Sequence, residues 1–245
     1  MNANASWNWF VWGKHPGIPD FLFAGEKTPL FQQFTRWVDT GFSRVDAQLK
    51  TKSRHCSWRF WTRGAGEDVV CGLVRNSCDN YGRSFPLLWL GSGPLEGWTI
   101  NRSLLPFAFE SAWKHFEYLA AARCGSIPEI NDALRLIPPP APCWREYQQR
   151  IHDAPDLLTR ESFEESIRDG GRLYKIDCSL PEQLPRDLCF CSSMVATSAD
   201  KAPGAVFIGE TGTRIAVAMI DNTLLPADFT WLWSIRPKSP QSSTA

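Results

Sequence analysis

The stretch Ser77–Leu90, SCDNYGRSFPLLWL, sets Ser77, Asp79 and Arg83 around a glycine, just ahead of a run of large apolar residues. Two chemistries fit those residue types. A nucleophilic serine needs a base on its oxygen, and a Ser-x-Asp spacing without a histidine supplies none. A self-bracing turn fits better. Asp79-Asn80-Tyr81-Gly82 matches a type I turn, with Asp first and Gly fourth. Gly82 can take the left-handed conformation that starts a bulged hairpin. Asp79 can accept from the N–H groups of the turn. Arg83 can pair with Asp79 or another acid and lay its flat guanidinium on nearby aromatics. The expectation is a structural or recognition role, with no catalytic residue.

Elsewhere the chemistry-bearing residues are dispersed. His15, His55, His115 and His152 fall in separate segments, and neither HExxH nor GxSxG occurs. GETGT at 209–213 lies between two strand patterns and reads as a hairpin connection; GxxxxGK[ST] and GxGxxG are absent. Eight cysteines are scattered without zinc-site spacing. Cys189 and Cys191 read as two thiols on one face of a strand, and Cys71 and Cys78 form no second pair. Free buried thiols are expected, with no metal and no cofactor. Lys14, in a Gly/Pro-rich loop, reads as a surface lysine, with anion contact as the alternative. Asp20 caps that loop or pairs with a base. The acidic ESFEES at 161–166 reads as a solvated helix face.

The chain has 245 residues, with 26 basic and 26 acidic side chains. That length suits one large domain or two small ones. Neutrality argues against a basic nucleic-acid surface. No apolar run approaches the roughly 18 residues of a membrane span, and MNANASWNWFVWG lacks the pattern of a signal peptide. The expectation is a soluble, cytoplasmic protein. Twelve tryptophans are unusual. They suit an aromatic core first, and a partner surface second.

The positioning elements follow from periodicity and turn residues. Strands are expected at 7–13, 56–62, 69–76, 85–91, 172–178, 187–195, 205–210 and 214–220, the second to fourth forming an antiparallel meander. Helices are expected at 29–49, capped by Thr28 with Pro29 following, at 103–123, at 126–137 and at 226–234. Part of 143–152 also reads as helix. Ser162 with Glu165 fits a capping box, and Gly170-Gly171 a helix end, giving a helix at 160–169. PPPAP at 138–142 is a stiff connector. Together these give an α/β fold, a mixed, largely antiparallel central sheet covered by helices. It forms a single domain over 1–236, with motifs in 7–123, a strand-rich part at 143–236, and a disordered tail at 237–245.

Two stretches together resemble the TagF (ImpM) family of type VI secretion-associated proteins. FVWGKHPGIPDF is similar to the family's opening strand, Gly-Lys-x-Pro, glycine loop and Asp-Phe, with Gly13, Lys14, Pro16, Asp20 and Phe21 at those positions. The next helix carries Trp37 where the family usually has tryptophan. A Trp-x-Phe strand and a glycine strand then lead into Pro-Ser-x-Asp-x-x-Gly-Arg-x-Phe-Pro. There Ser77, Asp79, Gly82, Arg83, Phe85 and Pro86 match. Asn76 stands where the family often has proline, and Pro19 where it usually has glycine.

The resemblance covers about the first 120 residues. It implies an α/β sandwich and a cytoplasmic, non-enzymatic, post-translational repressor of type VI secretion that binds the forkhead-associated scaffold protein of the apparatus. Some homologues carry a phosphatase domain. This chain is too short to hold one beside the TagF region, and no metal-binding aspartate set appears. The competing expectations are a hydrolase built on Ser77, Asp79 and Arg83, and a structural accessory component of the apparatus.

Overall fold

The computed structural model describes residues 7–47, 50, 56–122, 124–152, 163–177, 186–197, 202–211 and 214–235. In chain order these form β1 (Asn8–Lys14), β2 (Phe21–Gly25), α1 (Pro29–Ser43), β3 (Ser57–Arg63), β4 (Val69–Arg75) and β5 (Leu87–Gly93). One 3₁₀ turn at Arg102–Leu104 leads into α2 (Leu105–Ala121), followed by α3 (Ile127–Arg135) and α4 (Trp144–His152). Then come β6 (Phe163–Arg168), β7 (Gly171–Asp177), α5 (Arg186–Thr197), β8 (Ala205–Thr211), β9 (Arg214–Ile220) and α6 (Pro226–Ser234). The nine strands make one sheet in the order β2-β1-β5-β4-β3-β8-β9-β7-β6. Its pairings are antiparallel throughout. The α/β class, the largely antiparallel sheet and the β3-β4-β5 meander are as the sequence leads one to expect.

Both faces of the sheet are covered, because its central strands alternate between two apolar layers. On β4, Val69, Cys71 and Leu73 join a layer with α2, α3 and α5. Val70 and Val74 join the other, with α1 and α6. On β5, Leu87 and Trp89 face the first layer and Leu88 and Leu90 the second. Strands buried on both faces read as continuous apolar runs, which is why VVCGLV and LLWL carry no polar alternation.

None of the twelve tryptophans is exposed. Trp58, Trp89, Trp113 and Trp233 are among the most deeply buried side chains. The core expectation holds for these four, and Trp7, Trp9, Trp12, Trp144 and Trp231 are partly buried. Trp37 on α1 packs against Phe60, Phe207 and Phe229. Its Nε1–H donates to the Leu225 carbonyl at 2.9 Å, tying α1 to the entry of α6. Thr28 caps α1 by accepting from Phe31 N–H at 3.3 Å, as its sequence position suggests.

Three expected elements differ. Residues 163–168 of the expected helix 160–169 form a strand, with Phe163 opposite Ile176 and Arg168 opposite Gly171. Asp169-Gly170 is a two-residue hairpin turn, and Gly170 spends its positive φ of 72° there and not on a helix end. Ser162, the supposed cap, lies outside the described residues. The expected strand 187–195 is α5, so Cys189 and Cys191 sit on a helix. Leu188, Phe190, Cys191, Met194 and Val195 are all buried, and a short apolar run covered on most sides shows no period that separates helix from strand. Finally, α1 ends at Ser43, short of 49, where Arg44 N–H closes back on the Gly41 and Phe42 carbonyls. Leu49, His55, Arg123 and the tail 237–245 lie outside the described residues.

Cys56, Cys71, Cys78, Cys124 and Cys143 are free thiols, and Cys178 lies outside the described residues. Burial pushes the Cys56 thiol up to about 12, the hydrogen bond with Trp58 opposing it only in part. No helix among the described residues is long and apolar enough to cross a membrane.

Replacing Trp37 by alanine should cost roughly 3–5 kcal/mol of unfolding free energy, from lost burial plus the cavity left behind. Denaturant titration measures it, and a loss below about 1 kcal/mol would contradict a core position.

Candidate functional site

The two sequence blocks meet at one end of the sheet. β1 ends at Lys14 and β5 begins at Leu87, with Gly13 opposite Leu87 in the ladder. Strand β1 comes close enough there that a Cβ on Gly13 would lie 2.0 Å from the Pro86 carbonyl oxygen. Gly13 also holds a φ of 127°. Glycine is therefore required at this position twice over, by space and by backbone.

The second block folds as the turn expected of it. Gly82 N–H donates to the Asp79 carbonyl at 2.9 Å, Gly82 takes a φ of 78°, and Cys78 bridges to Ser84. Asp79 Oδ1 accepts from the N–H groups of Tyr81 at 3.0 Å and Arg83 at 2.9 Å. Its Oδ2 takes Arg83 Nε at 2.7 Å and Lys14 Nζ at 3.0 Å. The carboxylate is 1% exposed and so cut off from solvent. Burial acts to raise its pKa. The Arg83 N–H, the Lys14 and Arg83 side chains and the Tyr81 N–H together outweigh burial and hold it well below the usual carboxylate range.

Lys14 is not the surface lysine expected from a Gly/Pro-rich loop. It is the last residue of β1, 8% exposed, and its ammonium is an internal partner of Asp79. The reason is the ladder, which carries β1 one residue further and turns this side chain toward the turn. Asp20 caps its own loop: its Oδ1 accepts from Phe21 N–H at 2.8 Å and stands 4.0 Å from Arg83 Nη2. The same nitrogen donates to the Pro19 carbonyl at 2.9 Å. Only a backbone oxygen is used at Pro19, so proline in place of the family's glycine keeps the contact.

His15 was not singled out by sequence, although it occupies the variable position between Lys14 and Pro16. It is fully buried. Its Nδ1 accepts from Gly17 N–H at 3.1 Å, so Nε2 carries the proton and donates to the Leu119 carbonyl at 3.1 Å. Burial lowers its pKa, with the Leu119 bond opposing, and the ring is a neutral clamp between the loop and the end of α2. Pro16 is exposed in the turn closed by Ile18 N–H on the His15 carbonyl. Ser77 is half-buried and its carbonyl accepts from Phe85 N–H at 3.1 Å. Trp37 belongs to the core described above, away from this cluster.

Around the ion pairs lies an aromatic group. Phe21 stacks on Trp12 at 5.7 Å and meets Phe85 edge-on at 4.8 Å. Phe85 also meets Trp12 at 5.2 Å and Phe42 at 5.3 Å. Phe21 is 44% exposed and Tyr81 72%, with the Arg83 guanidinium 5.4 Å over the Tyr81 ring. The exposed role of Tyr81 had no signal beyond its being an aromatic residue at a turn tip. Among the described residues, no group of three or more His, Cys, Asp or Glu is placed to hold a metal ion.

Residues 10–134 match the family model described as the TagF N-terminal domain, type VI secretion system-associated. The chain belongs to this family. The TagF match takes in both sequence blocks, the whole ion-pair cluster and most of α3. Over the full chain, the fold is similar to the crystal structure of PA0076 from Pseudomonas aeruginosa PAO1. The two share 16% identity and a TM-score of 0.50, covering 95% of this chain and 98% of the other. No curated protein sequence matches the chain.

Two outcomes follow. Gly82→Val should cost about 1–3 kcal/mol, as backbone strain alone, since nothing lies within 4 Å of its Cβ position. Gly13→Ala should cost more than Gly82→Val in the same denaturant titration, because it adds a backbone clash to the strain. Equal or negligible losses would contradict the geometry. The second concerns pH. A carboxylate with a depressed folded pKa stabilises fully above its unfolded value, near 3.8 here, and ceases to as pH falls below it. The stability margin of the natural protein over Asp79→Asn should therefore be constant from neutrality down to about pH 4 and shrink below. A margin unchanged down to pH 2 would contradict the ion-pair assignment.

Proposed function

We propose that this protein is a non-enzymatic repressor of a type VI secretion system, acting in the cytoplasm by binding the forkhead-associated scaffold protein of the apparatus. The observation that carries the reading is the family match over residues 10–134, which makes the chain type VI secretion-associated. The non-enzymatic part is supported by how the polar residues are used. Both oxygens of Asp79 are taken by donors already in place. Lys14 is enclosed, and both nitrogens of His15 are engaged with backbone. Those groups are spent on holding the loop and the turn together, which speaks against the hydrolase built on Ser77, Asp79 and Arg83. A binding role draws support from the same end of the molecule, where rigidly held aromatics reach solvent.

The test is overproduction in the source strain, with secreted tube protein measured in the medium and the scaffold protein sought by affinity purification. Secretion should fall and the scaffold should co-purify. Unchanged secretion with no scaffold recovered would overturn the reading.

A further inference from the structure

Closing the turn at Asp79–Gly82 needs only Asp79 Oδ1 and a glycine at positive φ. The structure contains more than that. Oδ2 of the same carboxylate holds both Lys14 and Arg83. Lys14 stands opposite Phe21 in the β1–β2 ladder, with its ammonium 5.5 Å from the Phe21 ring. Fixing Lys14 therefore fixes Phe21, and fixing Arg83 sets its guanidinium over Tyr81. The surplus contacts order two exposed aromatics and the arginine between their segments before anything binds. Pre-ordering of this kind lowers the entropic cost of association, and aromatic and arginine side chains dominate binding hot spots.

We infer that the surface formed by Phe21, Tyr81 and Arg83, with Asp20 at its rim, is the docking face for the scaffold protein, which meets Arg83 with an aspartate or glutamate flanked by apolar residues. The inference rests on the proposed function for the identity of the partner. Its chemistry comes from the charges. Asp79 faces two cations with one negative charge. Lys14 is inside, so the surplus positive charge reaches solvent on Arg83, whose side chain is 56% exposed. Nε and one bond from Nη2 are used internally, on Asp79 and Pro19, and the outer edge of the guanidinium faces out. Asp20 offsets this charge only weakly, at 4.0 Å and with one oxygen already holding Phe21 N–H. A carboxylate is the group that a guanidinium edge takes best, and apolar neighbours suit the two rings.

The experiment is titration of the purified full-length protein with the purified scaffold protein of the same organism by calorimetry, at several salt concentrations. Tyr81→Ala should raise Kd by about 30-fold or more, the equivalent of a 2 kcal/mol hot spot, with an unchanged melting temperature. Arg83→Gln should weaken binding and flatten its salt dependence. Ile100→Ala is the control. Ile100 is exposed in the segment after β5, whose last residue Gly93 pairs with Val69 at the far end of β4, about 20 Å along the strand, and its loss should change nothing. If the natural protein binds and Tyr81→Ala binds equally well, the docking face is wrong while the repressor reading stands. If the natural protein does not bind, the repressor reading itself fails. Binding that disappears when the scaffold is treated with phosphatase would overturn the carboxylate as the group meeting Arg83.

Discussion

Asp79 is the residue on which this end of the molecule depends. A buried carboxylate is costly unless its charge is balanced and its lone pairs are filled. Here both conditions are met by one distant residue, Lys14 from the first strand, together with local groups: the Arg83 side chain and the N–H groups of Tyr81 and Arg83. The consequence is a constraint in both directions. Lys14 can be inside because Asp79 is there, and Asp79 is balanced inside by Lys14 from β1 together with Arg83. Gly13 completes the arrangement by letting β1 pass against the Pro86 carbonyl.

The rest of the sheet supplies the frame. Strands β1, β5 and β4 lie side by side, so the segments that leave their ends are neighbours although more than fifty residues separate them in the chain. Apolar layers on both faces, with Trp113 Nε1 bonded to the Gly72 carbonyl at 3.0 Å and Trp37 Nε1 to Leu225, hold that frame rigid. The tryptophans spend their area inside. What reaches solvent at the motif end is Phe21, held against Trp12 and Phe85, and Tyr81, beneath the Arg83 guanidinium.

Much of this was legible in the sequence, and the gaps have definite causes. The turn at Asp79–Gly82 could be read outright because its residue types are dictated by local backbone geometry. The helices at α1, α2, α3 and α6 could be read from period and turn residues, and α1 also from its cap at Thr28. By contrast, Ser162 with Glu165 suggested a capping box where Glu165 lies in β6, while the better signal, Asp169-Gly170 ahead of β7, marked a hairpin. The apolar run around Cys189 and Cys191 was buried on too many sides for its period to speak. Lys14 was misplaced because burial of a charge is decided by a tertiary partner sixty-five positions away, which local composition does not encode. His15 was passed over for the same reason, its acceptor being the Leu119 carbonyl at the end of α2.

The central claim is that Lys14 and Asp79 act as one unit, and a double-mutant cycle on unfolding free energy tests it most directly. If the account holds, Lys14→Met costs far less stability in an Asp79→Asn background than in the natural protein, because the charge that Lys14 neutralises has gone. If the two substitutions simply add, Lys14 and Asp79 are not coupled, and the ion pair is not what joins the first strand to the turn.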